Sequence, residues 1–178
     1  MTDQEKLDAA AYNQSYHFDD LVPNEYNGKD NLEIGKIQDD HIYALVHDGQ
    51  LNKLDQGEIA PEYFFDQSTF DKYIDPKTGE FDSQALSEAL QVQPFPDNAT
   101  GDGAEYRTSI ACFNVNGDIE APMGYCEANT QFGGGGAHEV YIPHNESSQY
   151  QQSGALEYNK EASLINTGKN NNIDGESY

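Results

Sequence analysis

The sequence predicts an α+β protein: a small, twisted, mostly antiparallel β-sheet with two or three short helices segregated from it. Three observations lead there. Runs of β-forming residues are short and bounded by turn residues, as at 42–46, 106–115, 118–125 and 140–142. Apolar residues at helical spacing are confined to brief stretches, the clearest being Ala85, Leu86, Ala89 and Leu90. The one glycine-rich loop, Gly133, Gly134, Gly135 and Gly136, runs into a strand, so the strand–loop–helix order of a dinucleotide fold or a P-loop is absent.

Composition sets the outer bounds. A chain of 178 residues is expected to form one domain. Leu, Ile, Val and Phe contribute 33 residues and the formal net charge is −23, a balance at the edge of what can bury a core. Twelve tyrosines make up some of the missing apolar area. The expected organisation is a compact domain over 1–144 and a polar, partly disordered tail over 145–178, where apolar anchors are few. The acidic balance excludes nucleic acid and argues against an anionic membrane, because phosphate contacts need Lys and Arg. It suits a cationic partner or Ca²⁺. No apolar run approaches membrane-spanning length, and no basic segment followed by an apolar stretch opens the chain. The expected location is therefore cytoplasmic, or outside the cell by a route that reads no signal peptide.

Taken in order, residues 1–14 read as a peripheral helix, opened by a capping box between Thr2 and Glu5. Residues 15–40 are loop-like. A buried strand follows at 42–46, bracketed by His41 and His47, which read as strand-end histidines at a solvent edge. Asp48 and Gly49 read as a turn, with 50–54 returning as a hairpin partner. The aromatics Tyr63, Phe64, Phe65, Phe70 and Tyr73 read as core, and Ser68 as the cap of a short helix reaching Ile74. A turn at 75–79 precedes a helix capped by Asp82 or Ser83 and ended by Pro94 and Pro96. In the polar loop 97–103, Asp97, Asn98 and Asp102 are candidate Ca²⁺ ligands, without the spacing of an EF-hand. Asn116 and Gly117 read as the tight turn of a hairpin joining 106–115 to 118–125. In that register Cys112 and Cys126 fall on opposite sheet faces, which disfavours a disulfide.

The chemistry gathers at 129–143. Consecutive glycines give backbone that can take φ > 0 and a row of N–H groups able to curl into an anion-binding concavity. His138 and Glu139 follow at the start of a strand, pointing to opposite faces, so one of them at most serves a given pocket. Arg107 is the only arginine in the chain. A guanidinium, a curl of backbone amides and a carboxylate together suit a pyrophosphate held beside a bond whose cleavage passes through an oxocarbenium-like state.

The run 106–141 resembles the C-terminal part of the tuberculosis necrotizing toxin family of NAD glycohydrolases. The resemblance rests on Phe113 and Val115, Gly124, Ala128, Gln131, Phe132, the glycines 133–136, His138, Glu139 and Tyr141. Further upstream, Tyr73, Gly79 and Phe81, then Leu90, Pro94 and Pro96, are similar to that family's glycine–phenylalanine and leucine–proline segments. It implies cleavage of the nicotinamide–ribose bond, NAD⁺ as substrate with no cofactor, and a cognate immunity protein as partner. The family's catalytic glutamine corresponds to His138, or to Glu139 if one residue is inserted. The family's arginine ahead of its proline segment has no counterpart within 84–91, leaving Arg107 to substitute. Tyr106, Gln131, Phe132 and the glycines 133–136 are the expected substrate-binding residues.

Other readings accompany this one. A non-enzymatic inhibitor or immunity-type protein covering a basic active site would need the charge and no catalytic residues. Glu139 in place of a glutamine also fits an ADP-ribosyltransferase. A nuclease using His138 and His144 conflicts with the acidic balance.

Overall fold

A computed structural model describes residues 1–18, 32–92, 106–126 and 135–165. In chain order its elements are α1 (Asp3–Phe18), β1 (Glu33–Lys36), β2 (His41–Val46), α2 (Asp48–Asp55), β3 (Tyr63–Phe65), α3 (Gln67–Tyr73), α4 (Ser83–Leu90), β4 (Ser109–Val115), β5 (Glu120–Tyr125), β6 (His138–Tyr141), α5 (His144–Ser153) and β7 (Leu156–Ile165). The fold is α+β, with five helices among the described residues rather than two or three. The seven strands form one sheet in the order β1-β5-β6-β3-β2-β4-β7, and every neighbouring pair is antiparallel.

The sheet has two halves, β1-β5-β6-β3 and β2-β4-β7, joined through the pair Tyr43 and Phe65. Two short crossings, 37–40 and 116–119, connect strands four places apart in the sheet. In a flat sheet those strands would lie about 19 Å apart, whereas five Cα steps reach at most about 18 Å. The sheet therefore curls, and the two crossings bond to their surroundings at the curl: Ile37 N–H to the Ile119 carbonyl at 2.9 Å, Val115 N–H to the Asp40 carbonyl at 2.8 Å.

Alternation along the strands supplies a core on each side. Ile42, Ala44, Val46, Phe64, Ala111, Phe113, Val140 and Ile142 form one cluster with Leu54 of α2 and Leu156 of β7. Tyr43, Leu45, Phe65, Ile110 and Cys112 form the other, covered by Phe70 and Tyr73 of α3 and by Leu86 and Leu90 of α4. The aromatics of 63–73 are core as expected, with Tyr43 stacked on both Phe65 and Phe70. The Thr2–Glu5 capping box forms in both directions, at 3.0 and 3.1 Å. Lys6 anchors α1 by donating to the Glu120 carbonyl at 2.7 Å.

Four expectations need correction. Residues 106–115 and 118–125 do not pair: β4 lies between β2 and β7, and β5 between β1 and β6. The turn at Asn116 is a crossing between the sheet halves, from β4 to β5. Residues 50–54 are helical, not a returning strand; Leu51 and Leu54, three apart, face the core, and Gln50 accepts from the His47 N–H at 2.8 Å. Asp66, not Ser68, caps α3, accepting from Thr69 N–H. The stretch taken as tail from 145 instead builds α5 and the ten-residue edge strand β7 as far as Ile165. Glu157 and Glu161 sit on the open side of that polar strand, while Leu156 and Leu164 pack inward. The two cysteines are buried and form no disulfide, although the hairpin that disfavoured their pairing does not exist.

Candidate functional site

Residues on either side of the glycine run do pair, β5 with β6, and Gly135 and Gly136 lead into β6. Cys126 N–H donates to the Ala137 carbonyl, and Gly136 N–H to the Cys126 carbonyl, both at 2.8 Å. Gly135 and Gly136 take φ of 65° and 98°, the left-handed region that the glycine run was expected to serve. Their N–H groups are not open to an anion. Gly135 N–H donates to the Glu88 carbonyl and Ala137 N–H to the Ala89 carbonyl, each at 3.2 Å. The loop exit thus satisfies the last carbonyls of α4, and the expected concavity does not form at 135–137. Gln131, Phe132, Gly133 and Gly134, like Asp97, Asn98 and Asp102, lie outside the described residues.

The end of α4 is the meeting point of the sheet halves. It closes in a Schellman-type turn, Val92 N–H reaching the Ser87 carbonyl at 2.8 Å, with Gln91 left-handed at φ 60°. Gln91 is the only non-glycine residue with positive φ among the described residues. Tyr106 approaches from the other half of the sheet; burial first, and then the charge of Glu88, raise its phenol pKa. Arg107 follows, its Nη1 donating to the Leu45 carbonyl at 3.0 Å. Burial lowers its pKa from the ordinary guanidinium value. Its Nε is buried without a hydrogen-bond partner, and no carboxylate of the described residues pairs with it. Thr108 and Ser109 both donate their hydroxyls to Asp48 Oδ1, at 2.6 and 2.5 Å, which pins the segment carrying Arg107.

Glu139 is 4% exposed and pairs across β6 with Phe65 on one side and Gly124 on the other. It therefore shares the sheet side of Phe65, the side that α3 and α4 cover. His138 goes to the opposite side, as strand alternation required. Its N–H donates to Thr69 Oγ1 at 3.3 Å, and its Nδ1 lies 3.0 Å from Asp66 Oδ2. Tyr125, its cross-strand partner, sets its ring edge-on to the imidazole at 5.1 Å. The structure thus brings Gly135 and Tyr106 to the end of α4, with Arg107 next along the chain from Tyr106, and sets Glu139 on the Phe65 side of β6. His144 is apart from this group, at the start of α5, with Nδ1 3.2 Å from the Ala60 carbonyl.

Sequence reasoning missed Asp66, Glu88 and Gln91. Asp66 was hidden because a carboxylate before a helix reads simply as a cap. Burial alone would raise its pKa, but the His138 contact, Thr69 N–H, the Ser68 hydroxyl and the His138 charge together bring it well below the ordinary value of 3.8. A depressed carboxylate contributes stability above its unfolded pKa and loses it as pH falls through the folded one. The stability difference between wild type and Asp66→Asn is thus expected to shrink as pH falls below about 4. Urea titrations across that range test this; a difference that grew on acidification would refute it.

The residues 8–144 match the Rhs1 C-terminal toxin domain family. Among solved structures, Rhs1-CT in complex with the cognate immunity protein RhsI1 is similar at 21% identity and a TM-score of 0.53, covering 79% of this chain and 85% of that one. Tne2 in complex with Tni2 is more remote, at 11% identity and a TM-score of 0.43, covering 72% and 87%. No curated protein matches the chain. With the match spanning most of its length, the chain belongs to the Rhs1 C-terminal toxin domain family.

Proposed function

We propose that this toxin domain hydrolyses NAD⁺ at the nicotinamide–ribose bond. The observation that carries the reading is Arg107. In a chain with 32 acidic residues, its only guanidinium is partly buried and, among the described residues, has no carboxylate partner. A desolvated, unpaired guanidinium is costly unless an anion completes it, and its fork geometry suits the oxygens of a pyrophosphate. Glu139, buried on the side of the sheet covered by α4, supplies the carboxylate. It would stabilise positive charge as the C1′–N bond breaks and accept a hydrogen bond from the incoming water or the 2′-hydroxyl. Nicotinamide leaves with the bonding electron pair, water adds to C1′, and one proton is released with ADP-ribose.

Membership of a toxin family removes the basis for the non-enzymatic inhibitor. A cognate immunity protein is the expected partner, as RhsI1 is for Rhs1-CT. The test is nicotinamide release from NAD⁺ by the purified protein in protein-free buffer. Arg107→Ala is expected to raise KM by about 100-fold, the equivalent of two charge-assisted hydrogen bonds, with a smaller change in kcat. Absence of release by the wild type would sink the hydrolase. Label from NAD⁺ appearing on an added protein acceptor would instead support transfer by Glu139.

A further inference from the structure

We infer that Asp48 is the positioning residue of the anion site: acting through Thr108 and Ser109, it fixes where the Arg107 guanidinium lies. The inference rests on the NAD-cleaving reading, which gives that guanidinium the pyrophosphate. Arg107 needs such a support because it lies outside the ladder. Ser109, opposite Val46, is the first residue of β4 to pair with β2, and Arg107, two residues earlier, belongs to no strand. Both of its tethers come from one corner, where β2 passes into α2. The Leu45 carbonyl accepts from Nη1 at 3.0 Å. Three residues on, Asp48 Oδ1 accepts the hydroxyls of Thr108 at 2.6 Å and Ser109 at 2.5 Å. Both hydroxyl residues are buried, so loss of the carboxylate strands two donors and frees the chain beside Arg107.

Asp48 is itself rooted. It opens α2, whose Leu51 and Leu54 pack into the core and whose start is tied by the His47 N–H donating to Gln50 Oε1 at 2.8 Å. A carboxylate is favoured at that helix end by the dipole. Among the described residues Asp48 forms no ion pair with Arg107, so its charge does not compete for the guanidinium. With Nη1 spent on the Leu45 carbonyl, Nε stays buried without a partner. Nε and Nη2 together make the edge of the fork that meets two oxygens of one anion. Holding that edge in place beforehand lowers the entropy lost on binding. Its loss therefore weakens affinity and leaves the chemistry at C1′ alone.

The test uses the full chain and nicotinamide release. Asp48→Ala is expected to raise KM by about 10-fold, the scale of one net hydrogen bond, at similar kcat. Asp48→Asn keeps an oxygen acceptor for both hydroxyls and should restore the wild-type KM. Thr108→Val combined with Ser109→Ala removes the donors, strands no hydroxyl and should match Asp48→Ala; it decides the point if Asp48→Ala does not fold. In an Arg107→Ala background, Asp48→Ala should change KM no further, because the group it positions is gone. A residue that only supports the fold would act equally in both backgrounds. That result, an unchanged KM in Asp48→Ala, or a KM in Asp48→Asn as high as in Asp48→Ala, overturns the inference. If wild type releases no nicotinamide, the hydrolase falls separately, and equilibrium binding of inorganic pyrophosphate decides the positioning alone. Binding about 10-fold weaker in Asp48→Ala and restored in Asp48→Asn upholds it; equal or absent binding overturns it.

Discussion

Glu139→Gln is expected to lower kcat for nicotinamide release by a factor of about 10² to 10³, the cost of losing one electrostatic group aimed at developing charge. The substitution keeps shape and removes only the negative charge. Glu139 is held by a strand on each side, through Phe65 and Gly124, and lies beneath the cover of α3 and α4. Its position is therefore set by backbone pairing and should survive the change. KM should move little, because the proposed reading assigns the pyrophosphate to Arg107 and not to Glu139. A kcat within threefold of wild type, measured on protein with an unchanged melting curve, would remove Glu139 from the chemistry.

Phe113→Ala is expected to cost about 3–5 kcal/mol of stability. That is a large share of the roughly 5–15 kcal/mol typical of a domain. Phe113 is fully buried, meets Phe64 edge-to-face at 5.5 Å and lies 5.7 Å from Tyr158. Phe64 belongs to one half of the sheet and Phe113 and Tyr158 to the other. Since the backbone ladder between the halves is a single residue pair, packing through Phe113 holds the curl closed. The urea midpoint measures the loss. A cost below about 1 kcal/mol would mean that the halves are joined by something other than this core.

The sequence made the parts legible more readily than their partners. The stretches 42–46, 106–115, 118–125 and 140–142 read as strands because β-branched and aromatic residues set local preference, and they overlap the strands His41–Val46, Ser109–Val115, Glu120–Tyr125 and His138–Tyr141. The cap at Asp82 and the turn ending at Gly79 were equally local. Pairing was not. The Asn116–Gly117 dipeptide carries a hairpin signal, but Ile119 and Val115 are drawn to backbone partners in another crossing, and tertiary burial overrides the turn. Residues 156–165 alternate weakly, because an edge strand needs few apolar residues, and so read as tail. At the site, the opposite facing of His138 and Glu139 followed from strand period alone. The donation of glycine N–H groups to α4 did not, since nothing local indicates which carbonyls a loop will meet.

The curled order of the strands also bears on how quickly the chain can reach this state. Only β2 with β3 and β5 with β6 are neighbours both in sequence and in space. The remaining ladders join distant segments, Glu33 with Met123 and Ser109 with Ile165 among them. Each such ladder must close a long loop before its contacts repay the lost entropy. A domain built this way should fold in milliseconds to seconds, not microseconds. For much of that interval its pairing edges stay open, and Arg107 and Glu139, carried on different halves of the sheet, are fixed in one framework only when the curl closes.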